Sequence, residues 1–286
     1  KSWLNFNDKS SRPVRYLIAC TVTLPERNMS KQWVLTSNKN QVTTVTMNRP
    51  EALNALSEAL RQELIEIFTD LATDPKTDVV ILTGTGRAFT VGLDLKELSD
   101  DDPGKAVTST NLTDAMVNLN KPIIGAINGF AITGGFEIAL MSDFLIAGPE
   151  AKCADTHTRV GIVPGWGLSQ KLPRLIGLYR AKELSLTGNF LDADTAYAWG
   201  LVNRVVDNDE LLPLCQSLGE DIASTDAVTR KTMRQIIDQG WSTTLEAGLA
   251  IEKEANRAHA DAELRAEGVA DKREQVRKRG QSQSDD

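Results

Sequence analysis

Histidine is nearly absent from this chain, with only His157 and His259 among 286 residues. Cysteine is scarce too: Cys20, Cys153 and Cys215 stand far apart and form no motif. No metal-ligand cluster can be assembled from such spacing, so zinc chemistry is excluded as an expectation. The cysteines read as buried thiols in a reducing compartment, the cytoplasm or alternatively the mitochondrial matrix. Positive charge is also in deficit. A formal charge of −7 gives no general attraction to nucleic acid or to an anionic membrane, so an anionic ligand must be held by local groups. The apolar run at residues 16–24 is too short to span a bilayer. Phe89 stands where a dinucleotide fingerprint starting at Gly84 would need its third glycine, and no acidic residue closes a βαβ unit in the right place. No internal repeat is present.

What remains is the composition of a soluble globular protein, 41% hydrophobic and 25% charged, long enough to bury a large core. Residues 1–30 differ from the rest and read as a disordered or leader-like extension, with the conventional chain starting near Met29. Residues 33–36 and 42–47 alternate like two short strands, with Asn38-Lys39-Asn40 as the turn between them. Ser57 is a good N-cap for a helix reaching about Ala72, with Leu60, Leu64, Ile67, Phe68 and Leu71 on one face. Buried strands are expected at 78–83, 121–127 and 143–147, separated by helical patterns. This alternation indicates an α/β domain. From Asp209 onward the pattern is helical, with charge pairs such as Asp261 with Arg265 and Glu274 with Lys278 at helical spacing.

Two glycine-bearing segments carry the chemistry. The first is Gly84-Thr-Gly-Arg-Ala-Phe-Thr-Val-Gly-Leu-Asp94, the second Asn128-Gly-Phe-Ala-Ile-Thr-Gly-Gly-Phe-Glu137. Each follows a β-type apolar run and leads into a helical pattern. Glycines at such corners let the backbone turn sharply and aim bare N–H groups outward. Two corners side by side can point two donors at one oxygen. A reaction that builds an enolate from a thioester needs that arrangement, because negative charge develops on its carbonyl oxygen. Glu137 lies inside the apolar run 134–141, where an acid is costly unless paired or useful. Desolvation there would raise its pKa and suit it to proton transfer.

These two segments, together with Met47-Asn-Arg-Pro-Glu-Ala-Leu-Asn-Ala-Leu56 and Gly161-Ile-Val-Pro-Gly-Trp-Gly167, occur in the order and spacing of the crotonase superfamily. The chain resembles the enoyl-CoA hydratases most, from about Lys31 to Arg279. The resemblance implies a spiral of ββα units over residues 31–207, a C-terminal helical trimerisation region over 208–280 and a polar tail at 281–286. It also implies a homotrimer or a dimer of trimers. The expected reaction is hydration of a trans-2-enoyl-CoA to the 3-hydroxyacyl-CoA, a step of fatty-acid β-oxidation. No cofactor is implied, since coenzyme A enters as part of the substrate. Other crotonase-type reactions (isomerisation, thioester hydrolysis, decarboxylation) and a non-catalytic acyl-CoA or RNA binder on the same scaffold stay open.

By the same resemblance, the Leu93 and Gly134 N–H groups form the oxyanion hole, and Glu137 activates the attacking water. Val91, Leu93, Asp94, Leu95, Lys96 and Gly134 would follow the substrate and its coenzyme A. Val91 would offer a carbonyl near the adenine, and Lys96 would sit beside the binding path. Asp94 reads as a support for the oxyanion turn or as a helix N-cap. Trp166 lines the acyl pocket or packs in the core. Arg277-Lys278-Arg279 would meet coenzyme A phosphates of a neighbouring subunit, or serve as a solvated helix end. The departure is His157. Counting back from Gly161 places it where the usual hydratase has a second glutamate, with Asp155 and Arg159 near in sequence but out of register. An imidazole can donate a proton and bind water, which makes it the candidate second acid; a merely structural histidine is the alternative.

Overall fold

Alternation of buried strands with helices gives this chain two nearly parallel sheets wound into a spiral. The computed structural model describes residues 32–97, 104, 108–263 (backbone only for 261–263), 273–274 and 276–281. Cys20, the extension at 1–30, the Asp261–Arg265 pair and most of the polar tail lie outside the described residues. Everything below concerns the unit formed by residues 33–286.

The chain opens with a hairpin, β1 (Val34–Lys39) and β2 (Val42–Met47), joined at Asn40-Gln41, both at positive φ. Such a two-residue turn matches the twist of the strands it joins. β1 therefore runs through the expected turn residues Asn38 and Lys39. Asn38 instead bonds the hydroxyl of Thr43. Helix α1 (Glu58–Thr73) starts where expected: the Ser57 hydroxyl accepts from Leu60 N at 3.3 Å. It buries Leu60, Leu64 and Phe68 completely, with Ile67 and Leu71 half-buried beside them. Burial of each large side chain is worth about 1.5–3 kcal/mol, so this stripe fixes the helix on the sheet.

From β3 (Val79–Gly84) onward each turn of the spiral delivers one strand to each sheet. β4 (Ala88–Thr90) follows β3. After α2 (Asn111–Asn118) come β5 (Ile123–Ile127), β6 (Phe130–Ile132) and α3 (Gly134–Ala139). Then come β7 (Phe144–Ala147), β8 (Lys152–Ala154) and α4 (His157–Val160). Next are α5 (Leu168–Ile176), α6 (Leu178–Thr187), β9 (Phe190–Asp192), α7 (Ala193–Ala198) and β10 (Arg204–Val205). The larger sheet has the order β1-β2-β3-β5-β7-β10, the smaller β4-β6-β8-β9; only β1–β2 and β8–β9 pair antiparallel. All five residues of β5 are buried, as a central parallel strand covered on both faces requires.

The small sheet departs from the sequence reading. Its strands have three residues each, below the length at which alternation can be seen. The glycine corners therefore do not pass straight from a strand of the large sheet into a helix. Each first makes a short strand in the small one. The helices α8 (Asn208–Ala223), α9 (Ala227–Trp241) and α10 (Leu245–Glu263) follow, and the described residues 276–281 are helical again. Ion pairs tie α9 to the large sheet, Arg234 to Asp143 at 2.5 Å and Arg230 to Asp78 at 2.9 Å. No helix among the described residues is long and apolar enough to cross a membrane.

Candidate active site

Three sequence segments converge because polar side chains lock their backbones together. Asn54, fully buried and at positive φ, donates to Ala88 O at 2.7 Å and Thr85 O at 2.9 Å, and its Oδ1 accepts from Arg49 N. Asn128 accepts from Gly84 N at 3.1 Å and donates to Gly86 O at 3.0 Å. One asparagine thus pins the first glycine segment from the preceding motif, the other from the second glycine segment. Neither was singled out from sequence, because the burial of these side chains and their distant partners exist only in the fold.

This clamping brings the Gly92-Leu93 corner against the start of α3. A Cβ on Gly92, which has φ +84°, would lie 2.9 Å from Gly134 N, and one on Gly134 would lie 3.7 Å from Leu93 N. Leu56 bridges Leu93 through its own N–H to Gly92 O and its carbonyl to Asp94 N, which leaves the Leu93 N–H outside the bridge. Gly134 is the first residue of its helix, so its N–H has no intrahelical acceptor. Thr133, just before it, holds φ 53° and ψ −114°, a conformation strained for a β-branched residue. Its hydroxyl contacts that of Thr156.

Leu93, Gly134 and Glu137 line one pocket of about 250 Å³ with Val91, Leu95, Thr133, His157 and Trp166. Glu137 is 3% exposed. Its Oε1 accepts from Trp166 N at 2.8 Å and Leu168 N at 3.4 Å, and its Oε2 lies 3.5 Å from His157 Nε2. The backbone at the start of α5 thus aims the carboxylate at the imidazole. Trp166 belongs to pocket and core alike: it is 7% exposed and packs in the main hydrophobic cluster, while its indole donates to Ser109 O at 2.8 Å.

Asp155, out of register with the glutamate position, nevertheless belongs to the cluster through His157. It is buried, and its Oδ1 lies 2.7 Å from His157 Nδ1. Counting positions from Gly161 compares residues along one line, whereas the tight turn into α4 folds residue 155 back over residue 157. An Asp-x-His spacing beside a short helix is the signal that was available. Burial opposes the charge on His157, but hydrogen bonds to Asp155 and Glu137 and their negative charges outweigh it, lifting the imidazole pKa to about 9. Burial likewise opposes the Asp155 charge; bonds from His157, Ser185 and the backbone hold its pKa below the ordinary aspartate value.

The remaining expected residues lie further out. Asp94 supports the turn: it pairs with Arg49 at 2.5 Å and accepts from Lys96 N at 3.0 Å. Burial opposes its charge, and the Arg49 and Lys96 N–H bonds together with the positive charges of both residues outweigh it, lowering its pKa. Leu95 is exposed and lines the pocket, whereas Lys96 is exposed outside the pocket lining. Arg277 pairs with Glu274 and Arg279 with Asp221 in α8, all at the exposed surface, so Glu274 faces Arg277 rather than the expected Lys278. A larger cavity of about 940 Å³ runs beside α9 and includes Lys171 and Asp238. It lacks the facing backbone corners of the smaller pocket.

Comparison with known proteins identifies the family. The sequence pattern of the enoyl-CoA hydratase/isomerase family matches residues 37–279. The chain is 44% identical to a probable peroxisomal enoyl-CoA hydratase 1 of Arabidopsis thaliana over 77% of its own length and 82% of the relative's. It is 35% identical to the short-chain-enoyl-CoA hydratase of Clostridium acetobutylicum over 78% and 87% of the two chains. The crystal structure of an enoyl-CoA hydratase from Bacillus anthracis superposes with a TM-score of 0.79 at 36% identity, covering 85% of this chain and 97% of that one. The spiral, the paired glycine corners and these likenesses place the chain in the enoyl-CoA hydratase/isomerase family, with the crotonase fold.

Proposed function

We propose that the protein hydrates a trans-2-enoyl-CoA, with Glu137 as base and His157 as acid. The observation that carries this reading is a buried carboxylate 3.5 Å from a buried imidazole, in one pocket that is also lined by the two backbone corners at Leu93 and Gly134. The thioester oxygen accepts from Leu93 N–H and Gly134 N–H. Water loses a proton to Glu137 as its oxygen bonds the β-carbon. The electron pair of the double bond moves toward the thioester, where the two donors stabilise the enolate oxygen. The α-carbon then takes the proton of His157 Nε2. Glu137 ends protonated and His157 neutral, and a proton passing from Oε2 to Nε2 restores both. Water is the only co-reactant, so no metal, flavin or nicotinamide takes part.

A raised imidazole pKa fits this role. A carboxylic acid in the usual position would be a neutral donor beside a carboxylate; here a cationic donor sits between two carboxylates. Both arrangements carry a net charge of −1. The acyl-CoA passes Val91, Asp94, Leu95 and Lys96 on its way in, with Trp166 against the acyl chain. A homotrimer or dimer of trimers is part of the reading, supported by exposed apolar side chains such as Tyr179, Leu186 and Tyr197 on α6 and α7. A reducing compartment, cytoplasm or mitochondrial matrix, suits Cys153 and Cys215, which are free and buried, with thiol pKa values pushed up by burial to about 12.

The test is an assay with crotonyl-CoA. Loss of the enoyl absorbance with formation of 3-hydroxybutyryl-CoA is expected. Binding of crotonyl-CoA without turnover would leave only an acyl-CoA binder, and migration of the double bond in a 3-enoyl-CoA without hydration would indicate an isomerase.

A further inference from the structure

Asp155 is buried two residues before His157, on the side of the imidazole away from Glu137. Its Oδ1 lies 2.7 Å from Nδ1 and also accepts from the His157 backbone N–H at 3.3 Å. A carboxylate only accepts, so Nδ1 carries a proton and donates it to Asp155. The ring is thereby fixed with Nε2 toward Glu137. We propose that Asp155 is a positioning residue for the hydration, holding the imidazole by Nδ1 so that Nε2 is the nitrogen that delivers a proton into the pocket. This inference rests on the functional reading above and adds to it the device that makes a histidine serve in place of a carboxylic acid.

The charged groups facing the ring are Glu137 from α3 and Asp155 from its own turn, while α6 contributes the uncharged Ser185 hydroxyl to Asp155. Were Asp155 absent, Glu137 alone would oppose the desolvation of the cation. A neutral imidazole offers its proton far less readily than an imidazolium. Once the cation has given up its Nε2 proton, Asp155 keeps the neutral ring in its Nδ1–H form and leaves Nε2 free to take a proton back from Glu137. The orienting aspartate of a Ser-His-Asp triad acts in the same physical way, fixing tautomer and orientation while staying ionised. Here the partner on the far side is a base for water and not a nucleophile.

The competing account is that Asp155 only ties down the turn into α4. Asp155→Asn separates the two, because asparagine keeps the size and an acceptor for the backbone N–H but removes the charge. In the variant, the alkaline limb of kcat/KM for crotonyl-CoA should move from near 9 toward the ordinary imidazole value by more than one pH unit. At pH 8 a shift of one unit makes the variant about twofold slower and a shift of two units about tenfold slower, with rate recovering as pH is lowered and KM little changed. NMR of the histidine rings, with only His259 to tell apart, should show the same shift in the His157 titration without reference to activity. In a His157→Glu background, Asp155→Asn should leave the pH profile where it was.

An unchanged alkaline limb and an unchanged His157 titration in Asp155→Asn would overturn the proposal. If that variant does not fold, the parent decides alone: a His157 that loses its proton near 6.5, or that is protonated only on Nε2, rules out the role. Failure of the underlying function looks different. There the parent, or His157→Ala at the parent rate, contradicts the hydration assay while the ring titration still reports the hold of Asp155.

Discussion

The oxyanion corner and the proton-transfer cluster share one pocket, yet they are built from opposite materials. Around Leu93 and Gly134 the groups of the proposed oxyanion hole are backbone N–H donors, placed by glycines and clamped by Asn54 and Asn128. They do not titrate, and no side chain can be exchanged to remove them. Around Glu137 and His157 the groups proposed to move protons are ionisable side chains, Glu137 held by the backbone N–H groups of Trp166 and Leu168 and His157 by the Asp155 carboxylate. The first half depends on shape. The second depends on charge, and so on pH.

Substitutions in the two halves should accordingly fail in different ways. The largest effect is expected from Glu137→Gln, which keeps the Trp166 contact but removes the base: kcat should fall by about two to four orders of magnitude. Calorimetry with a saturated acyl-CoA should still show binding. Activity within tenfold of the parent would place the base elsewhere.

Gly92→Ala attacks the other half. Its Cβ would sit 2.9 Å from both Gly134 N and Ile132 O, at a φ that alanine tolerates poorly. Forcing the corners apart should cost about two to three orders in kcat, the scale of a lost oxyanion donor. It should also lower the melting temperature, whereas Glu137→Gln should not. A Gly92→Ala variant that is folded and as active as the parent would remove Gly92-Leu93 from the mechanism.

His157→Ala is expected to lower kcat by about ten- to a hundredfold, less than loss of the base, because solvent can deliver the final proton. His157→Glu should retain activity and change the pH profile. In the parent, activity should hold through neutrality and fall as pH rises through about 9, where the cation is lost. Stability follows the same sign. A pKa raised on folding contributes stability that is fully present below about 6.5 and is lost as pH rises through about 9. Urea melts at pH 6 and pH 9.5 check this, and a His157→Ala protein should lose that part of the slope.

The smallest effect should come from Arg49→Gln. Its ion pair with Asp94 is only partly buried and supports the Leu93 turn from outside, so kcat/KM should drop by about two- to fivefold with an unchanged pH profile. A hundredfold loss would mean that the corner depends on charge after all.

The shape-built half was the easier to read from sequence. Glycines that need positive φ or a bare backbone leave marks in the chain, and the Ser57 cap and the α1 stripe were visible for the same local reasons. Four large-sheet strands, β2, β3, β5 and β7, were found to within two residues, whereas β1 ends three residues later than expected and the two-residue β10 was not foreseen. The small sheet was not, because three residues show no period. On the charged side, Glu137 stood out as an acid in an apolar run, and His157 by its place before Gly161. Asp155 was passed over because its importance lies in a turn that brings residue 155 onto residue 157, a three-dimensional fact. Asn54 and Asn128 act over about thirty and forty residues of chain, and no local pattern announces such a bond.

Gly135 has a consequence for how this scaffold can change its chemistry. A Cβ there would lie 2.0 Å from the carbonyl oxygen of Thr90, so the start of α3 rests directly on the end of β4 with no side chain between them. The gap between the two corners is therefore gauged by main chain against main chain, like a stop machined into a tool. Substitutions at 137, 155 or 157 can alter who gives and takes protons without resetting that gap. A new reaction on this frame inherits the enolate and has only to relearn where the proton goes.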